Sequence, residues 1–217
     1  VENWPHWRGP HGDGSAPLAD PPTIWDGASG KNIRWRAELV GEGSATPIIW
    51  GDQVFIVACE STDRVATPPE LPDPADRPKP RPGYDRLTTE PTNFYRFIVT
   101  SHDRSTGKVV WRKILAEAVP HEGRHATHSY ASGSPTTDGE RLYVSFGSFG
   151  IYCLDLNGRL LWERKLGRLT TRRGYGEAVS PVHHQGRLLI NWDQEVDSAL
   201  HCLDAKTGKP IWKSDRD

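Results

Sequence analysis

The sequence contains no methionine, only three cysteines, and no apolar run near the ~18 residues a membrane-spanning helix needs. No membrane-spanning helix is therefore expected. A surplus of charge is missing too: 27 Lys and Arg face 28 Asp and Glu, a net charge of −1. That balance gives no bulk attraction to nucleic acid or an anionic membrane, and neither is expected as a partner. With Val1 in first place and no methionine, the chain is expected to be processed or excised, which leaves room for a removed signal peptide. There is no Cys-x-x-Cys-His for haem and no zinc-type cysteine spacing. A Gly-x-Ser-x-Gly elbow and a phosphate-cradling glycine loop are also absent. What the chain does have is 21 Gly, 18 Pro and 9 Trp among 217 residues, a mixture that favours short strands and turns.

Two signatures recur in the same order. Ser101 to Trp111 (Ser-His-Asp-Arg-Ser-Thr-Gly-Lys-Val-Val-Trp) matches Cys153 to Trp162 and Cys202 to Trp212, aligning Asp103, Asp155 and Asp204, then Gly107, Gly158 and Gly208. Upstream of each lies Ser44-Ala-Thr-Pro47, Ser132-Gly-Ser-Pro135 or Ala178-Val-Ser-Pro181, followed by turn glycines Gly51, Gly139 and Gly186. Trp111, Trp162 and Trp212 recur about every fifty residues, a period suited to propeller blades rather than helical-hairpin solenoids. One unit reads as four strands: Tyr130 to Thr137, Arg141 to Phe146, Ile151 to Asp155 and Arg159 to Leu166. Four such strands cannot bury both faces alone, so neighbouring sheets must stack, and the tryptophans supply flat surface for that contact.

The Asp-x-x-Thr-Gly-Lys-x-x-Trp pattern resembles the tryptophan-docking motif of quinoprotein alcohol dehydrogenase-like propellers, a family that includes an outer-membrane assembly lipoprotein. The opening from Asn3 to Gly14, with Tyr130 to Gly139 and Asn191 to Glu195, is similar to secreted bacterial PQQ-like repeat proteins of the planctomycete type. The expected fold class is all-β: a β-propeller fragment of about three four-stranded antiparallel blades, with a closing N-terminal strand at Ile33 to Arg36 and a Pro-rich insertion. The expected divisions are 1–36 for the N-terminal segment, 36–115 for a blade carrying the insertion 60–94, 128–166 for a second blade and 175–213 for a third. The resemblance implies a ring of roughly seven or eight blades, so the remaining blades of the same propeller are an expected partner and two sheet faces are expected to be open. It also implies a periplasmic or secreted location.

Strand alternation sends the short glycine turns to one end and the long, varied segments 60–94, 116–129, 167–176 and 194–198 to the other. Function usually sits on loops carried by a rigid scaffold, so a ligand site is expected on that loop face. The insertion holds eight prolines from Pro68 to Pro91, together with Asp73, Asp76, Arg77, Lys79 and Arg81, and is expected to be loop with little regular structure. It reads as a tolerated surface insertion, with a lid or partner-binding arm as the alternative.

Three groups on this face are candidate ligand-binding residues. His125 and His128, with His121 and Arg124, crowd one inter-blade loop; their spacing would suit a metal on a helix, but Pro120 and Gly123 oppose a helix, and no metal is expected. Arg172 and Arg173, with Arg168, could hold a carboxylate, phosphate or sugar hydroxyls, or pair with Glu177, Asp193 or Glu195 on a solvated rim. Asn191 and Asp193, with Glu195, put oxygens on one side of an extended chain, too few alone for calcium. Trp192 reads as a packing residue. Cys153 and Cys202 hold equivalent places about a blade apart, beyond the ~7 Å reach of a disulfide, so the thiols read as packing residues.

The expected function is a non-catalytic binding or scaffold module of the cell envelope, taking a protein or small molecule on the loop face, with no cofactor in this chain. One alternative is a quinone-dependent dehydrogenase relative using PQQ with calcium, for which the resemblance implies a quinone between a tryptophan and an adjacent-cysteine disulfide. The other is a carbohydrate-binding propeller.

Overall fold

The computed structural model describes residues 3–73 and 82–216. Val1 and the insertion residues Pro74, Asp76, Arg77, Pro78, Lys79, Pro80 and Arg81 lie outside the described residues.

Among the described residues, twelve strands form three four-stranded antiparallel sheets. The first contains β1 (Ile48–Trp50), β2 (Gln53–Val65), β3 (Asn93–Asp103) and β4 (Val109–Ala118) in that order. The second contains β5 (Thr136–Thr137), β6 (Arg141–Ser145), β7 (Ile151–Asp155) and β8 (Leu160–Arg164), and the third β9 (Val182–His184), β10 (Arg187–Trp192), β11 (Ala199–Asp204) and β12 (Pro210–Asp215). These are three β-propeller blades in sequence. The inner strands of the middle sheet, β6 and β7, are buried on both faces, and their residues alternate between two cores as the pleat requires. Leu142, Val144, Tyr152 and Leu154 join Phe55, Val57 and Val99 of the first sheet. Tyr143, Ile151 and Cys153 join Leu188, Ile190 and Leu203 of the third.

Each outer hairpin turns on the same chemistry. Asp103 Oδ1 accepts the backbone N–H groups and hydroxyls of Ser105 and Thr106, and Asp204 Oδ1 accepts those of Thr207. These donors hold the Asp103 carboxyl down at about 2. The glycine that ends each turn has a left-handed φ, +74° at Gly107, +85° at Gly158 and +66° at Gly208. The absent Cβ also makes room: at Gly158 and Gly208 it would stand 2.7 Å from an indole ring carbon of Trp111 and Trp162. Trp111 Nε1 donates to Leu156 O (2.9 Å) and Trp162 Nε1 to Ala205 O (3.0 Å), so each indole lies across the turn of the following sheet. Trp35 does the same to the first sheet, donating to Arg104 O (2.9 Å) and packing on Gly107. Ser101, Cys153 and Cys202 stand opposite Trp111, Trp162 and Trp212 in the register, and the ladder slips by a residue just after each. A small buried residue there leaves space beside the indole. The inner edges are stitched in series, Thr46 N to Ser134 Oγ (2.9 Å) and Ser134 N to Ser180 Oγ (2.9 Å).

Three local expectations change. Of Tyr130 to Thr137 only Thr136–Thr137 is strand, because Pro135 lacks a donor and Gly133 lies against Val179 O and Ser145 O rather than in a ladder. Ile33 to Arg36 is not paired as a strand, since each described sheet already has its four strands and this stretch is used to seat Trp35. The insertion begins as sheet: β2 runs to Val65 and β3 starts at Asn93, with Thr62 Oγ1 donating to Phe94 O (2.9 Å). The third sheet presents an open face, with Val182 51 %, Ile211 48 % and Trp212 39 % exposed.

Candidate functional site

The end of the blades away from the glycine turns is built, among the described residues, from 66–73, 82–92, 119–135, 167–181 and 193–198. Two carboxylates, Glu122 buried and Glu177 largely so, tie them together. Glu122 Oε2 accepts the Thr171 N–H (2.9 Å) and hydroxyl (2.8 Å), while Glu122 Oε1 receives Arg86 Nη2 at 3.3 Å. Glu177 Oε2 accepts the Ser148 N–H and Oε1 the Ser148 hydroxyl, both at 2.7 Å. Ser148 sits in the turn Gly147–Phe149 between β6 and β7, and a Cβ on Gly147 would stand 1.8 Å from Glu177 Oε2. Burial lifts the Glu177 carboxyl from its ordinary 4.5 to about 8; the Ser148 donors oppose that rise and the Glu122 charge adds to it.

The histidines are dispersed among different acceptors. His121, buried, puts Nε2 2.7 Å from Leu169 O and 3.7 Å from Glu177 Oε1. His125 Nδ1 meets Thr127 Oγ1 (2.9 Å) and its ring lies edge-on to Tyr175. His128 Nε2 faces Glu177 O (3.2 Å), and its ring fills the space beside Gly176, where a Cβ would come within 2.3 Å. Ser132 Oγ lies 3.1 Å from His128 Nδ1, but the hydroxyl donates to Ser129 O at 2.8 Å. Desolvation lowers the His128 pKa, against the hydrogen bond to Glu177 O that raises it. Among the described residues no group of three or more His, Cys, Asp or Glu is placed to hold a metal ion.

Two of the three arginines reach the insertion. Arg172 Cζ lies 4.1 Å from the Tyr84 ring centroid and Arg173 Cζ 5.8 Å, so both are drawn to the insertion. Asp193 pairs instead with Arg216 (3.1 Å), which also donates to Asn191 Oδ1 (2.6 Å). Asn191 Nδ2 donates to Asp193 Oδ2 (2.9 Å), so these two do share a side of the chain. Arg172, Asn191 and Asp193, with Thr171, Glu177 and Glu195, line one open cleft of about 350 Å³. His125 and His128 are not in its lining; His125 N donates to Tyr175 O (3.1 Å) and fastens the two inter-blade loops to each other.

Sequence reasoning did not single out Glu122, and it placed Glu177 only as an arginine partner. No local pattern marks either one, because each is buried by loops distant in sequence. Tyr84 and Arg86 were overlooked for the same reason.

The seat that the family resemblance implies for a quinone is not matched by these residues. Cys59, Cys153 and Cys202 are free thiols, each buried in a different sheet, and no two are adjacent in the chain. Trp192 is 3 % exposed inside the second core, edge-on to His201, with no face turned to the cleft.

Among curated proteins, none matches this chain. Among solved structures it is similar to BamB from Moraxella catarrhalis, at 21 % identity and a TM-score of 0.37 over 56 % of this chain and 33 % of that one. It is similar to a europium-containing methanol dehydrogenase, at 12 % identity and a TM-score of 0.46 over 85 % and 30 %. It is also similar to quinohemoprotein alcohol dehydrogenase from Comamonas testosteroni, at 12 % identity and a TM-score of 0.44 over 83 % and 22 %. The chain thus spans a third or less of each of these proteins. The family model described as outer membrane protein assembly factor BamB matches residues 96–217, more than half of the sequence, and the chain belongs to that family.

Proposed function

We propose that this chain is a non-catalytic binding module of the bacterial cell envelope that engages a protein partner through its loop face, in a periplasmic or secreted setting. One observation carries the reading: Glu122, Glu177, His125 and His128 of that face are spent on joining its loops. Glu122 joins the 119–135 loop to Thr171 and Arg86, Glu177 joins the 167–181 loop to Ser148, and His125 and His128 bind the same two loops together. Carboxylates and imidazoles committed in this way make a fixed surface. Membership of a family named for outer membrane protein assembly supports a protein as the partner. No helix among the described residues is long and apolar enough to cross a membrane.

Photo-crosslinking in native envelopes tests this reading. A crosslinking residue at the exposed loop-face positions Ala126 or Tyr175 is expected to trap a defined protein, and one at Glu140, beside the glycine turn Gly139, is not. The same adduct from all three positions, or none from Ala126 and Tyr175, contradicts it. Saturable binding of quinone with calcium to the chain would contradict the non-catalytic part.

A further inference from the structure

The descending limb of the insertion alternates strictly: Tyr84, Arg86, Thr88 and Glu90 are half-buried, while Asp85, Leu87 and Thr89 are exposed. That is the period-two signature of an extended chain with one side seated. Each seated side chain meets a matching group on the inter-blade loops. The Tyr84 ring lies under Arg172 (4.1 Å) and Arg173. Arg86 pairs with buried Glu122 (3.3 Å), and on its own limb with Glu90 (3.8 Å). The Thr88 hydroxyl donates to Gly174 O (2.7 Å). Between them, Leu87 N–H donates to Arg173 O (3.0 Å), a single ladder-type bond. The floor is cut to fit: a Cβ on Gly123 or Gly174 would stand 2.5 or 2.6 Å from Thr88 Oγ1. A passively tolerated insertion has no need of side chains and glycines matched in this way.

We propose that the loop face carries a peptide-recognition groove, formed by Glu122, Gly123, Arg172, Arg173 and Gly174, that reads an extended aromatic–x–arginine–x–threonine segment. The chain's own residues 84–88 are its resident occupant. The strap is an intramolecular ligand, and a partner segment of the same pattern competes with it. The groove stands on these contacts whether or not the envelope supplies a partner, so a crosslinking failure and a groove failure are separate results.

The test uses the full chain carrying Tyr84→Ser, Arg86→Ser and Thr88→Ala, and a fluorescent peptide with the sequence of residues 82–92. Because occupancy in cis lowers the competent fraction, the peptide is expected to bind this variant at least about tenfold more tightly than the unmodified chain. Adding Glu122→Gln is expected to abolish the gain. Equal or absent binding to the variant overturns the proposal. Should the triple variant fail to fold, trypsin cleavage after Arg86 reports strap opening in otherwise intact chains. Gly123→Ala or Glu122→Gln is expected to speed that cut at least about tenfold while the circular dichroism is unchanged, since cleavage follows the open population. Cleavage as fast in the unmodified chain overturns it too.

Discussion

Trp162 and Trp212 occupy the same place in their repeats but not in the molecule, which makes Trp162→Ala and Trp212→Ala a matched pair. Trp162 lies across the Gly208 turn, with its indole N–H on Ala205 O, and it packs against the second core. Trp212 is 39 % exposed on the open face of the third sheet. Truncating a buried aromatic costs about 3–5 kcal/mol; Trp162 is only partly covered, which puts it at about 3. Of that, the hydrogen bond to Ala205 O accounts for about 1 kcal/mol. In a domain of this size the loss corresponds to a Tm lower by roughly 6–12 °C. Trp212→Ala removes a side chain that lies across no other sheet among the described residues, and is expected to cost less than about 1 kcal/mol. Urea unfolding followed by far-UV circular dichroism reads both. Equal losses, or a larger loss at Trp212, would refute the reasoning that the indole stabilises by lying on the next turn.

Glu177 should leave a pH signature. Its folded pKa of about 8 lies above the unfolded value of about 4.5, so the folded state binds the extra proton: its contribution is full below pH 4.5 and fades as pH rises through 8. Stability is expected to decline with pH across that window, and Glu177→Gln to flatten the slope; an unchanged slope in the variant would place the titration elsewhere. The thiols should be inert in the folded protein, because burial pushes Cys59 up to about 11 and Cys153 to about 12. Ellman's reagent at pH 8 is expected to react only after denaturation, and fast reaction in the native state would show that these sheets open.

Residues whose roles depend on near neighbours were legible in advance. Ile151 to Asp155 reads as a strand between two turn signals and forms one with those bounds. The Asp-to-Gly turns carry their own donors and left-handed glycine, so composition alone locates them. Tyr130 to Pro135 misleads because its alternation belongs to a segment held by side-chain hydroxyls, with Ser44 N on Ser129 Oγ and Thr46 N on Ser134 Oγ, rather than by a ladder. On the loop face, Arg172, Asn191 and Asp193 were identifiable as polar residues in variable loops, and they do line one cleft. Glu122 and the strap were not, because the groups that give them meaning come from other loops. Tyr84, Arg86 and Thr88 show no hydrophobic alternation, and only the seat beneath them reveals the period of two.

Successive blades are joined by indoles seated on the next sheet's glycine turn. Amide and indole NMR on the labelled chain addresses this directly. The indole N–H protons of Trp111 and Trp162 are expected to exchange slowly and to show cross-relaxation with Gly158 and Gly208, while that of Trp212 exchanges fast. Fast exchange at all three, with no contact between Trp162 and Gly208, would contradict the account.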